Sequence, residues 1–461
     1  MKYTAENLGN KSFKQSYGTS YAYAAGAMYK AIASKELVVR MGQAGYLSFY
    51  GSGGVSFEQL EQDIQYIQTH LNDGQPYGMN LICTPTEPEH ERKVIELFMR
   101  YNIKVIEASA FMQVTPALVL FRLKGLRKGV DGQVISDHKI MAKISRPEVA
   151  SAFLSPAPDQ IVESLLSAGA ISSEQAELSR SISMADDLCT EADSGGHTDM
   201  GVMATLLPSI IRLRNEMAAS YPFASKVRVG AAGGIGTPEP AAAAFAMGAD
   251  FILTGSINQC TVEAGTSDKA KDMLQQLNIQ DTDYAPAGDM FELGAKVQVM
   301  RRGVFFPVRA NKLYDLWRTH NSLDEISAKD RKQIEEKFFG RSFEEVYAET
   351  RDYYLRKAPA EIEKAEKNPK HKMALVFRWY FVHSTRLAMR GDQSRSVDFQ
   401  IHTGPALGAF NQWVKDTELQ EWRNRHADIL AIRILQGAAD ILNGLIATTE
   451  QVNSQPIVES V

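Results

Sequence analysis

Short apolar or β-branched runs alternate with amphipathic segments along the first 257 residues of the chain. The intervening segments, such as SKELVVRMGQAG and SFEQLEQDIQYIQTHL, carry apolar residues at three- and four-residue spacing, which predicts helices. A regular alternation of this kind predicts a parallel sheet with right-handed crossovers. Eight units favour closure into an α/β fold of the (β/α)8 TIM barrel type over an open doubly wound sheet, which remains the alternative. The predicted strands are Tyr21–Ala25, Tyr46–Tyr50, Tyr77–Cys83, Lys104–Ala108, His138–Ser145, Asp187–Glu191, Lys226–Ala231 and Phe251–Thr254.

Two stretches interrupt this alternation. Residues 155–185 add helical sequence before the sixth strand, which predicts an inserted helical segment. After about residue 265 the strand patterns fade, and helical patterns rich in Arg, Lys and aromatic residues replace them. We therefore predict a barrel over residues 1–265, a C-terminal helical cap or substrate domain over 266–448, and a flexible tail over 449–461. The length of 461 residues suits a barrel of roughly 250 residues plus an appended domain.

The composition is that of a soluble globular protein, with 44% hydrophobic and 23% charged residues. The net charge of −5 gives no overall reason to expect nucleic-acid binding. The charge is unevenly spread, because residues 295–395 hold 22 Lys and Arg against 14 Asp and Glu, or about +8. This region could dock an acidic partner, or it could be an ordinary solvated helical surface.

The cysteines and the N-terminal sequence indicate the cellular compartment in which the protein is expected. Cys83, Cys189 and Cys260 are far apart and form no CxxC pair, which argues against a disulfide framework and a structural zinc site. The polar start MKYTAENLGNKSFKQ lacks the apolar core of a signal peptide. No stretch approaches about 20 uncharged apolar residues. We expect a cytoplasmic protein with no metal site and no membrane association.

Glycines follow the last two predicted strands. Gly233 and Gly234 end the run VRVGAAGGI, and Gly255 with Ser256 ends GADFILTGS. Glycine lets backbone N–H groups approach an anion, and the loops after strands seven and eight often form the phosphate site of a barrel. The pattern favours phosphate binding over the alternative, a tight glycine turn required only for packing.

Polar residues close several other strands. DDLCTEADSGGHTDM places Glu191 and His197 after the sixth strand, on the edge where barrels carry catalytic groups, although a lone loop histidine is often structural. Lys143 lies on the fifth strand, where a buried lysine is costly unless it meets an anion or an acceptor. Asn80 on the third strand offers both a donor and an acceptor. Gly26, Ala27 and Met28 follow the first strand.

Motifs spread along the chain are similar to one enzyme family. They resemble the PfaD-type enoyl reductases, which act in trans in polyunsaturated fatty acid synthases and trans-acyltransferase polyketide synthases, within the FMN-containing nitronate monooxygenase superfamily. The likeness runs from about residue 17 to 445 and includes the cap, which simple nitronate monooxygenases lack. The motifs are YAYAAGAM, ISRPEVASAFLSPAP, ADDLCTEADSGGHTD, RVGAAGGIGTPE, NQCTVEAGTS, DMFELGAKVQVMRRG, PKHKMALVFRWY and GPALGAFNQWV.

The resemblance implies that NADPH reduces FMN, which then delivers hydride to the β-carbon of an α,β-unsaturated thioester on an acyl carrier protein. It implies His197 as proton source or donor to the thioester oxygen, Lys143 as support for flavin or enolate, and Glu191 as the group that orients one of them. The residues implied in FMN binding are Gly26, Ala27, Met28, Asn80, Lys143, Gly195, Gly196, Gly233, Gly234, Gly255 and Ser256.

The resemblance also implies partners. The chain would meet an acyl carrier protein within a polyketide or fatty acid synthase, and the basic 295–395 region becomes the expected docking face, because carrier proteins are acidic. Homodimerisation stays open. Two other functions remain: a nitronate monooxygenase-type flavin oxidase, and a non-catalytic flavin-binding scaffold. The segment MGVMATLLP after His197 is less polar than related sequences lead us to expect, which leaves the shape of the substrate entrance open.

Overall fold

A computed structural model describes residues 2–84 and 87–453 of the chain. They form two compact units. The barrel unit comprises the described residues up to Asp193, residues Met200–Gly265, and the described residues from Trp413 onward. The helical unit comprises Ser194–Asp199 and Thr266–Gln412.

Eight parallel strands close into a barrel, in the order β1-β11-β10-β8-β7-β4-β3-β2. Each predicted strand is present within two residues of its expected ends, so the predicted (β/α)8 barrel is confirmed. The remaining strands form a hairpin, β5-β6, and a sheet in the helical unit, β12-β13-β9. The strands are β1 (Tyr23–Ala25), β2 (Leu47–Tyr50), β3 (Gly78–Ile82), β4 (Val105–Ser109), β5 (Leu126–Lys128), β6 (Val134–Ser136), β7 (Lys139–Ile144), β8 (Asp187–Glu191), β9 (Gly196–His197), β10 (Arg228–Ala232), β11 (Ile252–Thr254), β12 (Thr282–Pro286) and β13 (Lys296–Met300).

Helices cover the barrel strands and make up most of the helical unit. Their starts follow local sequence: Ser34, Ser56 and Thr115 each accept a backbone N–H from the first turn of the helix that follows. The helices are α1 (Lys11–Tyr17), α2 (Lys35–Gln43), α3 (Phe57–His70), α4 (Pro88–Arg100), α5 (Pro116–Lys124), α6 (Pro147–Leu154), α7 (Asp159–Ser167), α8 (Ser173–Leu178), α9 (Met203–Met217), α10 (Pro238–Ala246), α11 (Ser256–Gln259), α12 (Asp268–Leu274), α13 (Phe306–Thr319), α14 (Ala328–Gln333), α15 (Phe343–Lys357), α16 (Pro359–Lys367), α17 (Pro369–Arg390), α18 (Pro405–Trp413) and α19 (Ala427–Asn453).

The amino-terminal end of the barrel is closed by an aromatic plug and a buried ion pair. Phe13 of α1 stacks on Phe251, with ring centroids 4.5 Å apart. Next to them, Arg228 makes two hydrogen bonds to Asp187, which also accepts from Tyr17. A buried pair with good geometry satisfies both charges, so this end is built for packing.

The position of the C-terminal helix α19 differs from the predicted domain boundary. We expected residues 266–448 to form one cap, but residues from Trp413 onward belong to the barrel unit. There α19 packs on α10, where a Cβ at Gly437 would stand 2.5 Å from Pro238. The predicted tail begins inside this helix, which runs to Asn453, and residues 454–461 lie outside the described residues.

The same helix is apolar enough to raise the question of a membrane span. Within the described part of the chain, Ala427–Ala447 is the segment that passes by length and composition. It carries Asp428, Arg433 and Asp440, and its Leu430, Ile434 and Leu435 are fully buried within the barrel unit. These residues form the face of the helix that packs within the barrel unit, and 39% of the apolar segment is buried.

The helical unit contains a sheet that the sequence pattern did not predict. β13 pairs antiparallel with β12 and with the two-residue strand β9. Behind the sheet lies an aromatic core in which Phe291 and Phe306 both contact Phe381 edge to face. These strands were missed because they lie outside the regular strand–helix alternation from which the barrel strands were predicted.

Candidate functional site

The glycines after β10 and β11 form an open cradle. The two strands pair in parallel, so Gly233, Gly234 and Gly255 lie at the same carboxyl-terminal edge of the barrel. Gly233 has a φ of +82°, and a Cβ there would stand 2.4 Å from the Ala192 carbonyl oxygen, so only glycine fits. Around Gly234 (φ +74°) and Gly255, no heavy atom lies within 4 Å of where a Cβ would be.

This cradle fits a phosphate group. Its floor is main chain without side chains, so backbone N–H groups can reach an anion directly. Open space next to both Gly234 and Gly255 is what a bound group would occupy. In this respect Gly234 and Gly255 differ from Gly233, whose surroundings are filled by the Ala192 main chain.

A buried lysine lies on the same edge of the barrel. Lys143 of β7 forms an ion pair with Glu191 of β8, with Nζ and Oε1 2.7 Å apart and side chains 14% and 26% exposed. Burial lowers the pKa of Lys143, but the charges of Glu191 and Glu107 raise it more, so its pKa lies above the ordinary value. The group is therefore a fixed cation.

Glu107 of β4 is a third member of this cluster. Its carboxylate is fully buried and accepts hydrogen bonds from Asn80 Nδ2 at 3.0 Å and from the Ala27 backbone N–H at 3.3 Å. Burial raises the pKa of Glu107 to about 7, with the charge of Lys143 opposing and that of Glu191 adding to the rise. Asn80 and Ala27, predicted as flavin ligands, thus also hold this carboxylate.

The loop after β1 is fixed against its neighbours. A Cβ at Gly26 would stand 2.6 Å from Leu253, and one at Gly51 would stand 1.7 Å from the Met28 carbonyl oxygen. The main chain of Met28 therefore lies directly on the loop after β2. Ser256 begins α11 beside Gly255. The barrel unit thus brings together the predicted residues Gly26, Ala27, Met28, Asn80, Lys143, Glu191, Gly233, Gly234, Gly255 and Ser256 on one edge.

His197 belongs to the other unit. We expected it in a barrel loop with Glu191, but residues Ser194–Asp199, including Gly195 and Gly196, belong to the helical unit. His197 is drawn into the sheet because it pairs with Val297 of β13. Its Nε2 lies 2.9 Å from Asp289 Oδ1, and its side chain is 44% exposed. Loss of water around Asp289 raises its pKa, but the hydrogen bond and charge of His197 outweigh this and lower it.

A second histidine, which sequence reasoning missed, lies in the same unit. Burial lowers the pKa of His402 to about 4, and the charge of His197 lowers it further while Asp289 opposes. His402 is therefore neutral, with Nε2 2.8 Å from Gln400 Nε2. Neither His402 nor Asp289 stood out, because each is an isolated polar residue in a loop far from His197 in sequence.

The sequence places Glu107 near the carboxyl end of the predicted fourth strand, on the edge where barrels carry functional groups, but assigns it no role. Its coupling to Lys143 depends on the pairing of β4 with β7 and of β7 with β8, which only the closed barrel supplies.

Two family models match the chain. The nitronate monooxygenase model matches residues 11–290. The model of the inserted helical domain of [acyl-carrier-protein] S-malonyltransferase matches residues 320–399, within the helical unit.

Curated relatives and a solved structure match nearly the whole chain. The polyketide biosynthesis protein PksE of Bacillus subtilis is 56% identical over 440 residues, which is 95% of this chain and 57% of the relative. ThaF of Burkholderia thailandensis, also a polyketide biosynthesis protein, is 54% identical over 95% of this chain and 37% of its own. The chain thus spans about half or less of these relatives.

The solved structure is the enoyl reductase domain of MlnA, from the macrolactin biosynthesis cluster of Bacillus amyloliquefaciens. It is 45% identical, with a TM-score of 0.93, and the match covers 96% of this chain and 99% of that domain. The similarity therefore includes the helical unit as well as the barrel.

Proposed function

The chain belongs to the nitronate monooxygenase family, and from that premise we propose that it is a trans-acting enoyl reductase of polyketide or polyunsaturated fatty acid biosynthesis. One observation carries this proposal: the match to the MlnA enoyl reductase domain extends over both units at 45% identity. The relatives PksE and ThaF favour a polyketide assembly line over a fatty acid synthase.

We assign FMN as the cofactor and NADPH as the reductant. The family is flavin-dependent, and the cradle of Gly233, Gly234, Gly255 and Ser256 fits the phosphate. When bound, FMN would supply the hydride that reaches the β-carbon of the enoyl thioester. Asn80, with Gly26, Ala27 and Met28, would lie against its ring.

Lys143 would stabilise negative charge on the edge of the barrel. Hydride addition to the β-carbon leaves the thioester as an enolate, which is stabilised by a nearby cation in a site that excludes water. Lys143 is held as a cation by Glu191, so it needs no rearrangement as the charge develops. Glu191 is then a positioning residue.

His197 would deliver the proton that completes the reduction at the α-carbon. The hydride and this proton together saturate the double bond, and one NADPH is oxidised for each product. Asp289 accepts a hydrogen bond from His197, which fixes the orientation of the ring. Gly195 and Gly196, on the same loop, are proposed to contribute to FMN binding.

The purified protein tests this function directly. We expect a yellow protein whose flavin absorption is bleached by NADPH without oxygen and recovers when a crotonyl thioester is added. Rapid oxygen-dependent turnover of nitroalkanes with no crotonyl reduction would support the nitronate monooxygenase alternative and contradict enoyl reduction. A protein with flavin that reacts with neither substrate would support the scaffold alternative.

The partner is proposed to be an acyl carrier protein on the basic 295–395 region. Among its arginines, Arg301 and Arg302 are exposed. Arg309 is unsuited to docking because it pairs with the buried carboxylate of Asp398, which also accepts from Tyr380. The charge available to a partner is therefore smaller than the sequence count indicates.

A further inference from the structure

Among the described residues, Glu107 is the most enclosed charged group on the carboxyl-terminal edge of the barrel. Its side chain is fully buried, while Lys143 and Glu191 are 14% and 26% exposed. Both oxygens are within hydrogen-bond range of the Ala27 N–H, and Asn80 Nδ2 donates to one of them. Asn80 is itself held, because the same amide also lies 2.9 Å from Ser109 Oγ.

Glu107 shares its cation with a second carboxylate. Lys143 faces both Glu107 and Glu191, on three consecutive strands of the barrel, and its direct ion pair is with Glu191. Another titratable group close to Lys143 is Cys189, a buried thiol whose pKa is raised mainly by burial. An ionised Glu107 is therefore a fully buried carboxylate that does not have this cation to itself, and burying such a charge is costly. A single proton on Glu107 removes this cost.

We propose that Glu107 is a positioning residue that carries this exchangeable proton. When Glu107 is ionised, Lys143 interacts with both carboxylates. When Glu107 is protonated, Lys143 interacts with the charge of Glu191 and no longer with a charge on Glu107. The alternative carrier, Glu191, is less suited because it is more exposed and forms the direct ion pair. The rise of the Glu107 pKa to about 7 agrees with this geometry. The proposal deepens the proposed function, on which its catalytic consequence rests.

The consequence is a pH-dependent field at Lys143. With Glu107 protonated, Lys143 faces the charge of Glu191 but not that of Glu107, so more of its charge is available to a developing anion. With Glu107 ionised, a second negative charge faces Lys143 and opposes that anion. Glu107 should therefore contribute a decrease in the rate of enoyl reduction as pH rises through about 7.

Infrared difference spectroscopy of the purified flavoprotein tests the proton directly, with no substrate present. We expect a protonated carboxylic acid band that disappears with a single step near pH 7. This step should be lost in Glu107→Gln and retained in Glu91→Gln, a matched control whose buried carboxyl bonds to Thr115 and lies on α4. A step that persists in Glu107→Gln, or the absence of any such step in wild type, overturns the proposal.

A second variant tests the same proton if Glu107→Gln does not fold. Lys143→Met removes the charge that lowers the Glu107 pKa, so the carboxylic acid step should move to higher pH. An unchanged step would show that the titrating acid is not coupled to Lys143 and would overturn the proposal.

Kinetics then separate this proposal from the proposed function. Glu107→Gln resembles the protonated form, so the decrease of its kcat with a crotonyl thioester across pH 7 should be smaller than in wild type, leaving what the proton donor contributes. A decrease equal to that of wild type would overturn the catalytic role. If wild type reduces no enoyl thioester at all, the proposed function fails, while the infrared step still decides whether Glu107 holds the proton.

Discussion

Lys143 and Glu191 lie on adjacent parallel strands of the barrel, with Nζ and Oε1 2.7 Å apart, on the same edge as the open glycines after β10 and β11. A cation fixed in this way, on the same edge as the proposed phosphate cradle, is expected to combine ligand binding with charge stabilisation.

Removing the Lys143 charge should abolish most of the activity. We expect Lys143→Met to lower kcat for crotonyl thioester reduction by about 10²–10³, the usual cost of losing one donor to a developing oxyanion. Lys139→Met is the control, since Lys139 begins the same strand at the opposite end of the barrel and bonds to Ser16. Equal losses in both variants would show a general effect on folding.

Filling the glycine cradle should weaken flavin binding. Gly234→Ala would place a methyl group in open space at a φ of +74°, and we expect the Kd for FMN to rise by about tenfold or more. Gly132→Ala carries the same backbone strain, with φ +78° and open space, in the turn of the β5-β6 hairpin. Fluorescence titration should show normal FMN affinity there, and a weakened Gly132→Ala would mean that strain alone is responsible.

Asp289 should act through His197. His197→Ala should lower kcat by about 10² or more, as expected for loss of a proton donor, and Asp289→Asn should give a smaller loss with little change in KM. The solvent deuterium isotope effect on kcat should rise in Asp289→Asn, because proton transfer becomes slower. Asp283→Asn, in β12, is the control. A His197→Ala enzyme with an unchanged rate would require another proton source or favour the scaffold alternative.

The basic region should be sensitive to charge when the substrate is carried by a protein. Arg301→Glu should raise the KM for a carrier-bound enoyl thioester by several-fold and leave the KM for a small thioester unchanged. Lys128→Glu, an exposed position on the β5 strand of the barrel unit, should change neither value. Equal effects of Arg301→Glu on both substrates would contradict docking at this face.

The sequence by itself determined the barrel. Its eight strands are short apolar runs between helices with clear three- and four-residue periodicity, and such local signals do not depend on distant contacts. The glycines after β10 and β11 were also predicted from the sequence, because a cradle made of main chain alone requires glycine, and glycine is visible in the sequence. Lys143 was found for a related reason: a lysine on an inward strand must have a partner.

Only the tertiary structure shows which side chains interact with one another at the site. Lys143, Glu107 and Glu191 are far apart in sequence, and their coupling arises only when β4, β7 and β8 pair side by side. His197 follows Glu191 by six residues yet lies in the helical unit, because β9 pairs with β13 about 100 residues later. Helix α19 returns to the barrel for the same reason. Long-range pairing and packing place these elements, and no local pattern records them.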